Sequence, residues 1–265
     1  MPTAQINGAR LHYTDVGQGP ETLFFVHGLA FDGRMFDAQI AQFQDRYRCI
    51  AMDLRGHGQS ELTESGYDMD NLAEDAAALL RHLGCGPVHF VGWSIGGFMG
   101  MRLASRQPEL IRSLTLIGTA SIDGSETDFG FKLVPTLTRW FGMRAVQSAL
   151  MKSMFAKSFL QDPKRAELRE TWRQRFIADR PLGVSRAASG VIRQASVDAE
   201  LPSIRTPTLL LRGEFDAVVP LALTQRTVEK LPNAKFVSIE RGGHGCTIEE
   251  PEQVRAAMEE FLSAN

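Results

Sequence analysis

The stretch Val91-Gly92-Trp93-Ser94-Ile95-Gly96-Gly97 sets a serine between glycines two positions before it and two after it. It follows the apolar segment Val88-His89-Phe90-Val91 and precedes an apolar-rich run from Phe98 to Ser105, so it reads as the junction of a strand and a helix. The spacing has a mechanical reason. A side chain held on so sharp a strand-to-helix turn crowds its neighbours, and the positions two residues away must be small. The helix that follows aims its free N–H groups back at the turn and favours negative charge there. Ser94 is therefore the first candidate nucleophile, set against the plainer reading of a glycine-rich turn with an incidental serine.

Outward from this turn, strand-like and helix-like segments alternate. Arg10 to Val16, Thr22 to Val26, Arg48 to Met52, Ser113 to Ile117, Thr208 to Leu211 and Lys235 to Ile239 read as strands. Met35, Phe36, Ile40 and Phe43 recur at helical spacing, as do Leu72, Ala76, Leu79, Leu80 and Leu83 before Gly84. Pro251 to Leu262 reads as a closing helix with proline in its first turn. Strands apolar on both faces and separated by helices predict an α/β fold with a mostly parallel sheet covered on both sides. The exception is residues 121–199, which show no strand and carry aromatic and methionine residues at helical spacings. That segment is expected to be a helical cap inserted between two strands of a core domain formed by residues 1–120 and 200–265. It holds 13 Lys/Arg and 8 Asp/Glu, a net +5 that suits either solvated helix faces or a lid favouring anionic substrates.

Composition narrows the function. A net charge of −2 over 265 residues gives no general attraction to nucleic acid or to anionic membranes. No apolar run approaches the roughly 18 residues of a membrane span. The N-terminal residues lack the basic and apolar regions of a secretory signal. Three cysteines with no close pair argue against a disulfide framework and for a reducing, cytoplasmic setting. No metal-ligand spacing, phosphate loop or dinucleotide fingerprint is present, so no cofactor or metal is expected. The expected partner is a small molecule.

A serine hydroxyl needs a base to take its proton, and the base needs an orienting acid. Open α/β sheets place such groups on loops at the carboxyl ends of strands. After the strand ending at Leu211 comes Arg212-Gly213-Glu214-Phe215-Asp216-Ala217-Val218-Val219-Pro220, and after the strand ending at Ile239 comes Glu240-Arg241-Gly242-Gly243-His244-Gly245. The order Ser94, Asp216, His244 matches the α/β-hydrolase order of nucleophile, acid and histidine. Glu214 and Asp123 are rival acids, and Cys246 is a weaker rival nucleophile. His27 and His57, with Asp53 and Arg55, read as loop-stabilising residues.

At this point the chain resembles the α/β-hydrolase superfamily over nearly everything outside the insertion. Phe25-Val26-His27-Gly28 is similar to its loop after the third strand, and Asp53-Leu54-Arg55-Gly56-His57-Gly58-Gln59-Ser60 to its segment after the fourth. Gly213 to Asp216 with Pro220, and His244 followed by Glu249 and Pro251, are similar to its acid and histidine loops. The resemblance implies a backbone oxyanion hole at Leu29 and Ile95. Serine rather than aspartate at the elbow points away from the dehalogenase and epoxide hydrolase branches. The loop from His27 to Gln39 and the insertion's size look most like enol-lactone hydrolases and small carboxylesterases. A carbon–carbon bond hydrolase of ring-fission products, a perhydrolase or a cofactor-independent dioxygenase, and a slow-turnover ligand receptor are the alternatives. Trp93, Trp140, Trp172 and Val218 are candidates for the substrate pocket.

Overall fold

The computed structural model describes residues 2–265. Eight strands form one sheet: β1 (Thr3–Ile6), β2 (Ala9–Val16), β3 (Thr22–Val26), β4 (Arg48–Met52), β5 (Val88–Trp93), β6 (Ile111–Ile117), β7 (Thr208–Gly213) and β8 (Ala234–Ile239). Their spatial order is β1-β2-β4-β3-β5-β6-β7-β8. Only β1 with β2 and β2 with β4 pair antiparallel; every other neighbouring pair is parallel. This is the α/β-hydrolase arrangement of a mostly parallel sheet with crossover helices.

The helices are α1 (Asp37–Phe43), α2 (Met69–His82), α3 (Ile95–Arg106), α4 (Phe129–Met154), α5 (Lys157–Gln161), α6 (Ala166–Ala178), α7 (Pro181–Arg193), α8 (Leu221–Lys230), α9 (Cys246–Glu249) and α10 (Pro251–Leu262). Every residue of β5 and β7, and all but the first of β3 and β4, is buried. Side chains alternate across a strand, so burial of both sets means that both faces are covered. That is why these strands are continuously apolar. α3 packs on β5 and β6, α2 on α3, and α1 against α10.

Helices α4 to α7 all lie between β6 and β7 in the chain. α4 is broken at Gly142, whose φ of 71° interrupts the helical path. Its inner face packs against α6 and α7. β1 escapes a periodicity reading because only two of its four residues are buried. It exists through its pairing with β2. No helix among the described residues is long and apolar enough to cross a membrane.

Candidate active site

The turn after β5 holds Ser94 at φ 53°, ψ −110°. A positive φ costs a non-glycine residue of order 1–3 kcal/mol, and such strain gathers at functional sites. The flanking chain leaves no room for side chains. A Cβ on Gly96 would stand 2.1 Å from the Val26 carbonyl oxygen, and one on Gly92 would stand 2.3 Å from that of Gly96. The Ser94 N–H donates to the Ile117 carbonyl at 2.9 Å, and the Ser94 carbonyl accepts from Gly97 and Phe98 at 2.9 and 3.2 Å. The elbow is thus tied to β6 on one side and α3 on the other.

The loops after β7 and β8 are laced together. Glu214 N–H donates to the Ile239 carbonyl at 2.9 Å and Phe215 N–H to that of Gly242 at 2.8 Å. This places Nδ1 of His244 2.9 Å from Oδ2 of Asp216, with both side chains buried. The other carboxylate oxygen of Asp216 accepts the Val218 and Val219 N–H groups at 2.8 and 2.9 Å. Burial alone would push the Asp216 carboxyl up; the His244 ring and these donors hold it below the usual carboxylate range.

The rival acids lie elsewhere. The Glu214 carboxylate accepts the Arg241 N–H at 3.0 Å on an exposed surface, and Asp123 caps a short helical turn through Ser125 N–H at 2.9 Å. Burial pushes the Cys246 thiol far up, away from thiolate chemistry. His27 bridges the Gly28 carbonyl at 2.7 Å and the Leu54 N–H at 2.9 Å, a loop tie. Asp53 accepts from Gly33 and Gln59 N–H groups and contacts His12 at 2.8 Å. Arg55 makes a buried pair with Asp75 at 2.7 Å.

Ser94, Leu29 and Ile95 meet at one cavity of about 320 Å³. The Leu29 and Ile95 N–H groups donate to no protein acceptor among the described residues, as expected for the first N–H of a helix in the case of Ile95. Val218 lines this cavity with Phe98, Ile122, Phe131, Val191 and Leu223. Its polar lining besides Ser94 is Thr127, Glu126 and Asp128; no lysine, arginine or histidine contributes. Glu126 is paired with Arg226 at 2.7 Å.

None of the three tryptophans expected at the pocket lines this cavity. Trp93 is buried behind the histidine: its Nε1 donates to the His244 carbonyl at 2.8 Å and its ring lies 4.7 Å from the imidazole. Trp140 is 73% exposed on the outer face of α4, beside Phe141. Trp172 is 3% exposed and packs on Phe31, with ring centroids 5.1 Å apart, beside a different cavity. Aromatic residues on helices look alike in sequence; the docking of the insertion decides which meet solvent, core or ligand.

Sequence reading gave no site role to Arg212 or Gly118, and took Glu249 only as part of the histidine-loop resemblance. Arg212 donates to the carbonyls of Asp216, Val219 and Gly213 at 2.8, 3.0 and 2.9 Å and so braces the acid loop. A Cβ on Gly118, at φ 55°, would lie 3.2 Å from Nδ1 of His244 and press the ring by a few tenths of an ångström. Glu249 accepts Gly243 N–H at 2.9 Å and Ala156 N–H at 2.8 Å, joining the histidine loop to the insertion. An arginine inside an apolar strand end, and a glutamate just after the candidate histidine, were the available signals. Among the described residues no cluster of three or more His, Cys, Asp or Glu side chains is placed to share a metal ion.

A sequence model of the α/β-hydrolase fold matches residues 21–251. The chain therefore belongs to the α/β-hydrolase fold family. It is 28% identical to the pimeloyl-[acyl-carrier protein] methyl ester esterase of Aeromonas hydrophila, over 93% of this chain and 96% of that one. It is equally 28% identical to 3-oxoadipate enol-lactonase 2 of Acinetobacter baylyi, over 95% and 92% of the two chains. The crystal structure of the enol-lactonase from Burkholderia xenovorans superposes with a TM-score of 0.92 at 24% identity, covering 99% of this chain and all of that one. The two relatives set the chain near small esterases and enol-lactonases, and the structural likeness shows the shared fold.

Proposed function

We propose that the protein is a serine hydrolase that opens a carboxylic ester or lactone through an acyl-enzyme on Ser94. The observation that carries this reading is the buried 2.9 Å contact between His244 and Asp216, on loops at the same sheet end as the strained Ser94 turn. In this reading Ser94 attacks the carbonyl carbon and His244 takes its proton, then returns it to the leaving group. Asp216 holds the imidazole with Nδ1 protonated and stabilises the imidazolium. The N–H groups of Leu29 and Ile95 receive the oxyanion. A single donor of this kind is worth about 3–4 kcal/mol in the transition state. Water activated by His244 then releases the acyl group.

Residues 121–199 serve as the cap over this site. The basic character of that segment does not reach the cavity, whose lining has no cation. An apolar wall without a counter-charge makes burial of a substrate carboxylate costly. The acyl or lactone part that enters is accordingly uncharged and apolar. The esterase and enol-lactonase names of the relatives support the bond type.

Labelling with a fluorophosphonate, read by intact-protein mass spectrometry, tests the nucleophile. One adduct is expected on the parent and none on Ser94→Ala. Ser94→Ala should lower ester turnover by about ten-thousandfold or more while leaving the fold intact. Labelling that persists in the variant, or turnover that survives it, overturns the assignment.

A further inference from the structure

A second cavity, of about 240 Å³, lies between the core and the insertion and shares no lining residue with the cavity at Ser94. Its core wall includes Thr14 of β2, and its opposite wall is the end of α6 and the residues after it, including Trp172, Arg175 and Asp179. Most of its charges are satisfied within the wall. Arg34 grips Asp32, with Nε at 2.9 Å and Nη2 at 2.5 Å. His12 holds Asp53 at 2.8 Å, and Arg180 donates to the Ser60 carbonyl at 2.6 Å.

Three groups are left over, and all three line this cavity. Oγ of Thr14 and Oδ2 of Asp179 are buried and have no hydrogen-bond partner among the described residues. Among the same residues Arg175 makes no hydrogen bond or ion pair; its guanidinium stacks on the Trp172 ring at 4.5 Å from the centroid. Stacking occupies the face of the guanidinium and leaves its N–H edge free for an in-plane acceptor. Burial, and after it the neighbouring Arg34, push the Arg175 guanidinium down against the pull of the Asp32 and Asp37 carboxylates. Arg175 and Asp179 stand four residues apart at the end of α6, a spacing that brings side chains to one face. Buried polar atoms are almost always partnered, so two such oxygens beside a half-buried, unpaired guanidinium around one cavity call for a common explanation.

We propose that this cavity binds a small hydroxycarboxylate, with its carboxylate on the free edge of Arg175 and its hydroxyl between Asp179 and Thr14. One unpaired guanidinium sets a single negative charge. The carboxylates of Asp32 and Asp53 in the same wall disfavour a doubly charged anion such as phosphate. Ala30, Phe31, Trp172 and Ala178 leave room for a short carbon skeleton. Burial pushes the Asp179 carboxyl up to about 7, so near neutrality it can donate a proton to a ligand oxygen as well as accept one. Because its anchors lie on both walls, such a ligand would clamp the insertion to the core.

The test uses the full chain carrying Ser94→Ala, so it does not depend on the hydrolase reading. Glycolate is titrated by calorimetry and followed by the emission of Trp172, with acetate as the ligand lacking the hydroxyl. Saturable glycolate binding is expected, about fivefold or more tighter than acetate, with an emission change lost in Trp172→Phe. Arg175→Gln should weaken glycolate about tenfold or more. Thr14→Val, which keeps the side-chain shape, should narrow the gap between glycolate and acetate. No saturable binding by the folded chain would mean that the cavity holds water alone, and would overturn the proposal. So would affinity unchanged in Arg175→Gln, or acetate binding as tightly as glycolate.

Discussion

Asp216 and Glu214 are two residues apart on one loop, yet only Asp216 reaches the imidazole. Asp216→Asn keeps the shape but offers Nδ1 of His244 the wrong partner, and should lower turnover by about ten-thousandfold. Glu214→Gln, on an exposed carboxylate bonded to the Arg241 N–H, should change turnover less than about threefold. Steady-state kinetics on a simple ester decides between them, and the opposite ranking would reassign the acid. The elbow glycines admit a similarly sharp expectation. The clash of a Gly96 Cβ is with backbone, the Val26 carbonyl at 2.1 Å, and backbone in a central strand cannot swing aside as a side-chain tip can. Gly96→Ala should cost about 3 kcal/mol or more, the upper range of single substitutions, read from urea unfolding. A stable, active variant would show that the turn can relax.

At the scale of elements, polar links join the insertion to the core on several sides, among them Arg180 to the Ser60 carbonyl, Arg226 to Glu126 and Lys230 to Asp198. Glu249, at the end of α9, ties the histidine loop to Ala156, just before α5, and Gly245 N–H adds a bond to the Met154 carbonyl at 2.7 Å. A glutamine can accept at only one terminus of its amide, so Glu249→Gln leaves one of the two N–H groups facing a donor. The cost should be about 1–3 kcal/mol, with ester turnover falling because His244 loses its fixed loop. Unchanged stability and turnover would remove Glu249 from any positioning role. The outer face of α4 gives a separate check on how the insertion docks. Trp93 and Trp172 are buried and Trp140 is exposed. Iodide should therefore quench the parent's emission mainly through Trp140, and Trp140→Phe should abolish most of that quenching. Quenching that persists would place another tryptophan at the surface.

For the whole molecule, stability should depend on pH through carboxyls displaced in opposite directions. Asp179 and Glu249 are pushed up to about 7, in both cases chiefly by burial. Unfolded, such groups titrate near pH 4. Between about pH 4 and 7 these two groups hold protons in the folded chain that the unfolded chain has released, so their contribution to stability falls as pH rises through this window. Asp216 and Asp53 are held low by histidine and N–H partners despite their burial. Their contribution is present above about pH 4 and is lost as pH falls below it. The His27, His57 and His89 rings, pushed down by burial, act in the opposite sense as pH falls below neutrality. The test is therefore a difference: in urea titrations Asp179→Asn with Glu249→Gln should lose less stability than the parent between about pH 5 and 7. An unaltered slope in the double variant would assign it to other groups. By itself the sequence determined the class of fold, because continuous apolar strands and amphipathic helices are local patterns. β3, β4 and α10 end where their apolar periods end. It also supplied the candidate order of serine, acid and histidine, since turn glycines and strand ends are local as well. Only the tertiary structure decided that His244 meets Asp216 rather than Glu214, that Trp93 backs the histidine instead of lining the pocket, and that the insertion's positive charge lies away from the apolar cavity. Each of these depends on how segments distant in the chain dock, and side-chain direction after docking is not encoded in local periodicity.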